Sequence, residues 1–407
     1  MASESQSGQS AAPTSEPPSR PILVVNSGSS SLKAGIYEAK NGREELALSA
    51  TASNLAAPDG RLEIRDGAGK IVAREAHTFP SACEALRAIV PAMGRTGCPQ
   101  PMAVGHRIVH GGPKLREHQR VTAETMRLLE AAIHFAPLHI PAALALLRET
   151  SALFPGVPQI ACFDTAFHRT LPEPASHFPL PVELWREGIL RFGFHGLSYE
   201  AIVSNLGPAL RPRTVAAHLG NGCSLAALQD GVSVDTSMGL TPTGGIPMST
   251  RSGDLDPGVL LYLLRARGLD ADGLEDLLNH RAGLAALSGG RSDLRDLQSA
   301  AKAGDAEAAL ALDVFCRSIA KTIGGYAAVL GGIELLVFTG GIGENSAPVR
   351  ALAVKDLGFL GIQLDREANQ ENRAIVSTPG SACQVRIVAA DEDRQIAQHS
   401  RRLLEQL

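Results

Sequence analysis

The chain has 407 residues, of which 44% are hydrophobic and 20% are charged, and it contains 41 glycines. That length is too great for one hydrophobic core and suits two domains of a globular protein. A net charge of -4 without any block of basic residues excludes the electrostatic signature of a protein that binds nucleic acid or an anionic membrane surface.

Six cysteines are scattered through the chain without a C-x-x-C pair, which predicts neither a zinc site nor a disulfide framework and favours a reducing cytoplasm. Residues 1–20 are rich in Ser, Ala and Pro, so we expect a disordered tail and no signal peptide. No later segment has the roughly 20 consecutive apolar residues that a transmembrane helix needs.

The first folded element is predicted between residues 22 and 38, which read ILVVNSGSSSLKAGIYE. Two apolar runs flank a Gly/Ser turn and predict a β-hairpin. A hairpin differs from the strand-helix unit of a P-loop or a dinucleotide fold, and neither glycine spacing is present. The amide of Gly28, the serine hydroxyls and Lys33 favour a phosphate site, whereas the alternative interpretation is a flexible linker.

The chain continues as an antiparallel sheet, because strand-like segments lie on either side of the turn DGAG at 66–69. A helix is predicted from Ser81. The segment 103–112, AVGHRIVHGG, is predicted as a strand that carries Arg107 and ends in a glycine turn. Another helix begins after Thr122, a good N-cap, and ends before the segment APLHIP, whose prolines forbid its continuation.

A buried strand at 159–163 delivers Asp164, whose carboxylate is either a cap for the following turn or a working acid. Because aspartates commonly cap helices and turns, the residues alone favour the cap. Further along, His195 stands between two glycines in RFGFHG, where its ring could face a cleft. A structural histidine is the default interpretation of this residue.

A second hairpin of the same plan is predicted at 215–228, around the turn GNGCS. The two hairpins together suggest an internally duplicated architecture. The following segment, 235–254, is too polar for a core and too rich in glycine for a helix, and such long loops are often functional. Arg251 is its only cation.

The rest of the chain carries clear helix signals. Asp-Pro at 256–257 predicts the start of a helix with an apolar run at 259–264, and a D-x-x-E capping box at 272–275 predicts another. The longest helix is predicted at 305–331, where apolar residues recur at steps of three and four. A buried strand then leads into the glycine loop TGGIGEN at 339–345, where the main chain can approach a flat or charged group.

A last strand is predicted at 385–388, and an acidic turn at 389–393 precedes the final helix. The order of these strands, helices and glycine turns resembles the two-domain plan of sugar kinases, Hsp70 and actin. Nine segments in order resemble the acetate kinases more closely: NSGSSSLK (26–33), GHRIVHGG (105–112), APLHIP (136–141), FDTAFH (163–168), FGFHG (192–196), HLGNG (218–222), DTSMGLTP (235–242), TRSGD (250–254) and FTGGIGEN (338–345).

This resemblance implies an α/β protein with two similar RNase H-like (actin/Hsp70-type) domains and the active site in the cleft between them. After the tail at 1–20, it implies domains at 21–166 and 167–393 and a C-terminal helix at 394–407 that packs back on the first domain. The implied activity is reversible transfer of the ATP γ-phosphoryl group to acetate, giving acetyl phosphate and ADP. Mg²⁺, with Mn²⁺ as an alternative, would be the cofactor of a cytoplasmic homodimer that has no nucleic-acid or membrane partner.

Carried over position by position, the resemblance implies four groups of site residues. The catalytic residues would be Asp164, Arg107, Arg251 and His195. ATP would contact Ser29, Ser31, Lys33, His218, Leu219, Gly220, Asn221, Gly222, Asp293, Leu294, Arg295, Gly341, Ile342, Gly343, Glu344 and Asn345. Acetate would contact Arg107, Val109, Leu138, Phe194 and Pro242, and the metal would be held by Asn26 and Glu392.

Acetate is already ionised at pH 7, so the implied reaction needs no general base. We therefore expect Asp164 to order the metal and to orient Arg107. Two segments depart from the family pattern. The acidic turn reads DED at 391–393 where the family has NEE, and the loop reads TPTGGIPMSTR where TPLEGLxMGTR is common, so that a glycine replaces an acidic residue and Pro247 is added.

Two alternatives remain open from the sequence. A propionate or butyrate kinase is the nearer one, because one methylene changes binding in an apolar pocket by only about 1 to 3 kcal/mol. The other is a non-catalytic nucleotide-dependent switch of the actin or Hsp70 type, which would share the two hairpins. Such a switch transfers no phosphoryl group to a carboxylate, so it would not need Arg107, His195 and Arg251 together with a small apolar pocket.

Overall fold

The computed structural model describes residues 21–28 and 31–406. The predicted tail at 1–20 and the candidate phosphate ligand Ser29 lie outside the described residues. The described chain forms two β-sheets flanked by helices, so the predicted α/β class is confirmed.

The first sheet has eight strands in the order β5-β4-β3-β2-β1-β6-β8-β7. Their bounds are β1 (Ile22–Ser27), β2 (Ser31–Lys40), β3 (Arg43–Ser53), β4 (Arg61–Asp66), β5 (Ile71–Ala76), β6 (Ala103–Ile108), β7 (Gln119–Arg120) and β8 (Gln159–Phe163). Strands β1 to β5 pair antiparallel, whereas β6 is parallel to both β1 and β8. The parallel strands are buried along nearly their whole length, which is why they read as continuous apolar runs.

The second sheet has five strands in the order β11-β10-β9-β12-β13. Their bounds are β9 (Arg213–Leu219), β10 (Cys223–Gln229), β11 (Val232–Thr236), β12 (Leu335–Thr339) and β13 (Gln384–Ile387). Three antiparallel strands are again followed by two parallel ones. The order β3-β2-β1-β6-β8 in the first sheet therefore repeats as β11-β10-β9-β12-β13, which matches the duplication suggested by the two hairpins.

The helices connect the strands and cover the sheets. They are α1 (Ala82–Arg95), α2 (Ala123–Ala131), α3 (Ile140–Leu153), α4 (Glu173–Ser176), α5 (Val182–Arg186), α6 (Gly196–Leu206), α7 (Pro257–Ala266), α8 (Ala271–His280), α9 (Gly283–Leu287), α10 (Leu294–Lys302), α11 (Ala306–Leu330), α12 (Gly340–Asn345), α13 (Ala347–Val354), α14 (Arg366–Gln370) and α15 (Glu392–Glu405). Within the described ranges, none of these helices has the length and apolar character to cross a membrane.

Helix α11 forms as its sequence predicts. The Asp305 carboxylate accepts a hydrogen bond from the Ala308 amide at 3.0 Å, and Gly331 ends the helix in the left-handed region with φ 68°. Its apolar stripe, which includes Phe315 and Ile323, packs in the core beneath the second sheet. The apolar stripe of α11 and the apolar residues of the second sheet are thus buried against each other.

Two sequence-based details are wrong. The glycine loop predicted at 339–345 contains helix α12. The cap of α8 is Asp270, which accepts from the Gly273 amide at 2.8 Å, so the predicted capping box lies inside the helix. Helix α7 begins after Asp256 as predicted, but no residue of its apolar run is buried.

Helix α15 returns from the end of the second sheet to pack on the first. Its residues Ile396 and Ala397 share a core with Ile22 and Val24 of β1. Gly105 in β6 permits this approach, because a Cβ atom there would lie 2.3 Å from Ser400 Oγ and 2.6 Å from Ile396 Cγ2. The absence of a side chain at this position sets how closely the helix lies on the sheet.

We predict that Gly105→Ala lowers the free energy of unfolding by about 1 to 3 kcal/mol, because the added methyl group overpacks the contact with α15. Urea denaturation followed by circular dichroism measures the change. Gly94→Ala is the matched control, since a Cβ atom at this exposed helical position would have no neighbour within 4 Å. The control should be unchanged or more stable. Equal stability of the Gly105 variant and the wild type would contradict the packing argument.

Candidate active site

Three parallel strands of the first sheet end at one edge and deliver three polar side chains. Asn26 lies near the end of β1, Arg107 lies near the end of β6, and Asp164 directly follows β8. The Asp164 amide donates to the Ile108 carbonyl at 3.0 Å, which continues the pairing of β6 with β8 beyond the strands. Ligands of α/β proteins bind outside the carboxyl ends of such strands. This edge is therefore a candidate active site.

A buried ion pair lies at the centre of the edge. Arg107 Nη2 is 2.6 Å from Asp164 Oδ2, and Arg107 Nε is 3.1 and 3.0 Å from the two carboxylate oxygens. The Asp164 side chain is only 1% exposed. Burial raises the pKa of Asp164, and the Arg107 guanidinium opposes that rise. Among the described residues only Arg107 donates to this carboxylate, so the sequence-based interpretation of Asp164 as a turn cap is wrong.

The start of α15 adds two carboxylates to the same edge. Asp393 Oδ1 accepts from Asn26 Nδ2 at 2.6 Å, and Glu392 Oε2 is 3.9 Å from Arg107 Nε. Arg107 Nη1 also lies 3.4 Å from Asn26 Oδ1. Three carboxylates therefore surround one guanidinium. Such a set of oxygen donors with surplus negative charge suits a hard divalent cation.

Two histidines stack where the first sheet meets the second. The rings of His195 and His218 are 4.2 Å apart at an interplanar angle of 17°. His195 Nδ1 lies 2.9 Å from Ser224 Oγ, and His218 Nδ1 lies 2.9 Å from Ser198 Oγ. Burial lowers the pKa of both histidines, to about 4 for His218, and the nearby Arg107 charge lowers both further. Both imidazoles are therefore neutral at pH 7.

The free edge of the His195 ring faces the turn between β9 and β10. A Cβ atom at Gly222 would lie 3.1 Å from His195 Nε2 and 3.5 Å from Arg251 Nη1. The backbone of His195 has φ 58°, a left-handed conformation that is uncommon outside glycine. His195 Nδ1 thus makes the hydrogen bond expected of a structural histidine, and His195 Nε2 points towards the turn and Arg251.

Arg251 is a half-buried cation with no carboxylate partner among the described residues. Its Nη1 donates to the Pro242 carbonyl at 3.2 Å and lies 3.9 Å from Met248 Sδ. Burial lowers its pKa, and the positive charge of Arg107 acts in the same direction. Arg251 Nη1 and His195 Nε2 both lie beside Gly222, and a guanidinium without a carboxylate partner is a site for an anion.

The four apolar candidates for an acyl pocket differ in their surroundings. Phe194 is buried and Val109 is partly buried in the same core beneath the second sheet. Pro242 is buried beside Arg251, whereas Leu138 is 47% exposed. Phe194 also packs edge-on against His110, with ring centroids 5.5 Å apart. Of the four candidates, Pro242 therefore contacts Arg251, Phe194 and Val109 belong to the core beneath the second sheet, and Leu138 is largely exposed.

The candidate phosphate ligands lie on the two hairpins. Asn26 and Lys33 are cross-strand partners in β1 and β2, and Lys33 is exposed. Ser31 is partly buried in the same turn. In the second hairpin, the Gly220 amide donates to the Gly222 carbonyl at 3.0 Å and leaves Asn221 exposed at the tip. Leu219, by contrast, is fully buried, so only its backbone can reach a ligand.

The candidate adenosine segments begin α10 and form α12. Asp293 caps α10 and pairs with the exposed Arg295 at 2.6 Å, and Leu294 is buried behind them. In α12, Gly341 is exposed, Ile342 and Asn345 lie beside the buried Gly343, and Asn345 donates to the Gly341 carbonyl at 2.9 Å.

Glu344 has a structural task in this region. Its Oε1 accepts from the amides of Gly340 at 3.0 Å and Ala390 at 2.9 Å, which ties α12 to the acidic turn. Arg350, which is fully buried, donates to the Gly343 and Glu344 carbonyls at 2.8 and 3.0 Å. Nothing in the sequence pattern marked Arg350, because its partners include backbone carbonyl groups of α12, which a local pattern does not identify as acceptors.

His139 is a further site residue that the sequence-based assignment missed. It directly precedes α3, and burial together with the charges of Arg251 and Arg107 lowers its pKa to about 4. Its ring is therefore neutral at pH 7. The signal was present in the segment APLHIP, where a histidine stands between two prolines at a forced helix boundary.

The chain matches the model of the acetokinase family over residues 21–398. It is 41% identical over 405 residues to an acetate kinase of Methylocella silvestris, with 96% of this chain and 99% of the relative covered. A solved acetate kinase of Porphyromonas gingivalis superposes with a TM-score of 0.85 at 36% identity, covering 94% of this chain and 99% of that chain. A solved propionate kinase of Francisella tularensis gives 0.87 at 32% identity with the same coverage.

We predict that His195 and His218 stay neutral at pH 6, where a histidine with the usual pKa of about 6.5 is mostly protonated. Their unfolded-state pKa exceeds the folded one, so the stability that depends on them falls as pH drops from about 6.5 towards 4. Long-range ¹H–¹⁵N NMR correlations during a pH titration measure the ring forms, with His218→Gln used for assignment. A midpoint near 6.5 for either ring would refute the expected burial effect.

Proposed function

The chain belongs to the acetokinase family, and from the site's geometry we propose that it transfers the ATP γ-phosphoryl group to the carboxylate of acetate. The observation that carries this proposal is a pair of guanidinium groups in different settings: Asp164 holds Arg107 at the strand edge, and Arg251 lies beside His195 at the Gly222 turn with no carboxylate partner among the described residues. Such a site is built for an anion that meets another anion. ATP and ADP are the nucleotide substrates.

The reaction needs no proton transfer. Acetate has a pKa near that of a glutamate side chain and is ionised at pH 7. One carboxylate oxygen forms a bond to the γ-phosphorus, while the bond between that phosphorus and the β,γ-bridging oxygen breaks. The electron pair of the broken bond leaves with ADP, and acetyl phosphate is the other product. Positioning and charge stabilisation are then the tasks left to the protein.

Charge repulsion is the main obstacle to this step. Two unit charges 4 Å apart repel by about 4 kcal/mol at an effective dielectric constant of 20, and the phosphate carries more than one charge. Arg107, fixed by Asp164, can hold the acetate carboxylate, and Arg251 can contact the transferring phosphoryl group. An arginine in that second role contributes roughly 10³ to 10⁵ in rate in related phosphoryl transfer. Neutral His195 can donate or accept a hydrogen bond at Nε2 without adding charge.

Asn26 and Glu392 would hold a divalent cation at the strand edge, with Asp393 and Asp164 nearby. The donor set fits this role because every available ligand atom is an oxygen and the carboxylates exceed the guanidinium charge. We propose Mg²⁺, with Mn²⁺ as the alternative. When bound, the cation supplies partial neutralisation of the phosphate oxygens. Asp164 then serves the site chiefly by orienting Arg107.

The nucleotide would lie along the two hairpins. Ser29, Ser31 and Lys33 would face its phosphates from the first hairpin, and His218 to Gly222 would do so from the second. The adenosine would reach Asp293 to Arg295 and Gly341 to Asn345. These two segments are joined by Gln298 Nε2, which donates to Ser346 Oγ at 2.8 Å, so they form one surface.

The choice of acid depends on the depth of the pocket. Relatives that are named for acetate and for propionate superpose almost equally well on this chain, so overall similarity does not discriminate between them. Pro242 contacts Arg251, and both Pro242 and Phe194 are buried, so their packing leaves little freedom for the proposed pocket to widen. We therefore propose acetate as the preferred acid and propionate as the second candidate.

Two further proposals concern assembly. The halves 21–166 and 167–393 would close over the substrates as two domains. We also propose a homodimer, because α7 and the preceding loop leave five large apolar residues between 37% and 56% exposed: Leu255, Val259, Leu261, Tyr262 and Leu264. A second copy of this face would cover them. A cytoplasmic location is consistent with the six free cysteines.

We predict that wild-type protein with MgATP forms acyl phosphate, trapped as the hydroxamate, with a higher kcat/KM for acetate than for propionate or butyrate. Arg251→Ala and Arg107→Ala should each lower kcat by at least 10²-fold, because each removes charge stabilisation of the transferring group. Initial rates at varied acid and nucleotide concentrations provide both constants.

Arg127→Ala is the control for these variants, since Arg127 is exposed on α2 and, among the residues that the structure describes, forms a salt bridge only with Glu124. It should retain wild-type rates. Near-normal turnover of Arg251→Ala would sink the assigned role, and an optimum for butyrate would contradict the small pocket. Nucleotide binding without acyl phosphate from any acid would favour the nucleotide-dependent switch instead.

We predict a dimer at micromolar concentration that the double variant Leu261→Glu/Tyr262→Glu converts to a monomer, because it places two charges on the apolar face of α7. Light scattering coupled to size exclusion measures the mass. Val72→Glu on β5 is the matched control, since Val72 is 45% exposed and lies in the first sheet. A monomeric wild type would refute the proposed interface.

A further inference from the structure

A cluster outside the strand edge joins three separate elements of the fold. His118 precedes β7, Glu200 lies in α6, and His399 lies in α15. His118 Nε2 is 3.1 Å from both Glu200 oxygens, and His399 Nε2 is 2.7 Å from Glu200 Oε2. The two rings are 4.1 Å apart. All three side chains are largely buried, with 13% or less of each exposed.

Two histidines and a carboxylate are a common set of metal ligands, and these ligand atoms all lie within 4.8 Å of one another. The opposite ring nitrogens argue against a metal. His118 Nδ1 accepts from the Phe163 amide at 3.0 Å, and His399 Nδ1 accepts from the Arg402 guanidinium at 3.0 Å. Both donors carry hydrogen at all relevant pH values, so each Nδ1 is the unprotonated nitrogen.

The protons of the neutral rings therefore lie on Nε2, where a metal would need a lone pair. The cluster is then a carboxylate that accepts from two imidazole N–H groups. Gln395 Nε2 lies 3.0 Å from His399 Nε2; with the amide rotated by 180°, Oε1 takes this position and accepts from the same proton. Burial acts to raise the pKa of Glu200, but the two histidines outweigh it and lower the pKa to about 2. The carboxylate is ionised and fully satisfied.

Each element in the cluster carries a residue of the strand edge. His118 is bonded to Phe163, and Asp164 is the next residue. Glu200 is five residues from His195 at the start of α6, and His399 is seven residues from Glu392 at the start of α15. At 1.5 Å rise per residue, the catalytic ends of both helices lie roughly 8 to 11 Å from the cluster. The cluster thus joins the elements behind the site.

We propose that His118, Glu200 and His399 are positioning residues that hold α6 and α15 in fixed register against the end of β8. The register sets the spacing between His195, Glu392 and Asp164, which face the substrates. The inference rests on the proposed phosphoryl transfer for its effect on rate. It deepens that proposal by naming residues that touch neither substrate nor metal.

Glu200→Gln is the sharpest test, because it keeps the shape of the side chain and removes one acceptor. A glutamine amide can accept one imidazole N–H but presents N–H₂ to the other, so one buried donor is left unpaired. We expect kcat for acyl phosphate formation to fall by 10-fold or more and the Mg²⁺ concentration for half-maximal rate to rise by 5-fold or more. The KM for acetate should change by less than 3-fold.

The matched control is Glu44→Gln. Glu44 is also buried and also ties α15 to the first sheet through Arg401, but the pair touches neither α6 nor β8. If the cluster only adds stability, both variants will lose stability and keep their rates. At a temperature well below both melting transitions, Glu44→Gln should retain kcat within 2-fold. A Glu200→Gln rate within 2-fold of wild type would overturn the inference.

A rescue experiment separates hydrogen bonding from packing. His399→Gln retains an N–H donor at about the position of imidazole Nε2, whereas His399→Ala removes it. We expect kcat of the glutamine variant to be at least 5-fold higher than kcat of the alanine variant. Equal rates of the two variants would contradict the proposed bond to Glu200.

Amide hydrogen exchange tests the positioning role independently of the proposed phosphoryl transfer. In Glu200→Gln, exchange should rise at the first turn of α15 and at residues 164–168, even if the wild type forms no acyl phosphate. Unchanged exchange at both places would overturn the positioning role. Calorimetric titration of the wild type with Zn²⁺ should show no binding at the cluster. Zn²⁺ binding that is present in the wild type and lost in His118→Ala would overturn the assigned ring forms.

Discussion

The ion pair of Arg107 with Asp164 is the interaction around which the rest of the molecule is arranged. A buried carboxylate loses its hydration and must find donors inside the protein. Asp164 finds them on the neighbouring parallel strand, so β6 and β8 must stay in register for the pair to exist. Its backbone carbonyl also accepts from the Gly196 amide at 2.8 Å, which fixes the start of α6 and the place of His195. Asp164 thus positions two other catalytic candidates, Arg107 and His195.

Much of the fold could be predicted from the sequence because the signals are local. Apolar runs defined β1, β8 and β12, and caps defined α7 and α11. The conversion of the predicted glycine loop into α12 depended on Glu344, whose carboxylate accepts from both the helix start and Ala390. That bond joins residues 46 positions apart. A local sequence pattern around Glu344 cannot identify a partner so far along the chain.

The candidate site was accessible from the sequence for a different reason. Its residues stand in short segments whose order resembles a known family, so their roles could be carried over without their geometry. Taken alone, Asp164 was read as a cap, because its true partner lies 57 residues away. His139 and Arg350 were missed, since their importance follows from neighbours in space. The exposure of the apolar run of α7 could not be predicted either, because a run of apolar residues does not distinguish a helix buried in its own chain from one exposed on the surface.

Helix α15 also has a consequence for the order in which the molecule can be completed during synthesis. The apolar residues Ile22, Val24 and Cys162 of the first sheet share their core with this helix, which is made more than 200 residues after β8. Until α15 leaves the ribosome, that face of the sheet lacks the part of its cover that Ile396 and Ala397 supply, and Glu392 has not yet joined Arg107. A nascent chain therefore cannot assemble the strand edge early. Chains that stop short of residue 392 expose an apolar surface, which favours their aggregation or removal by proteases.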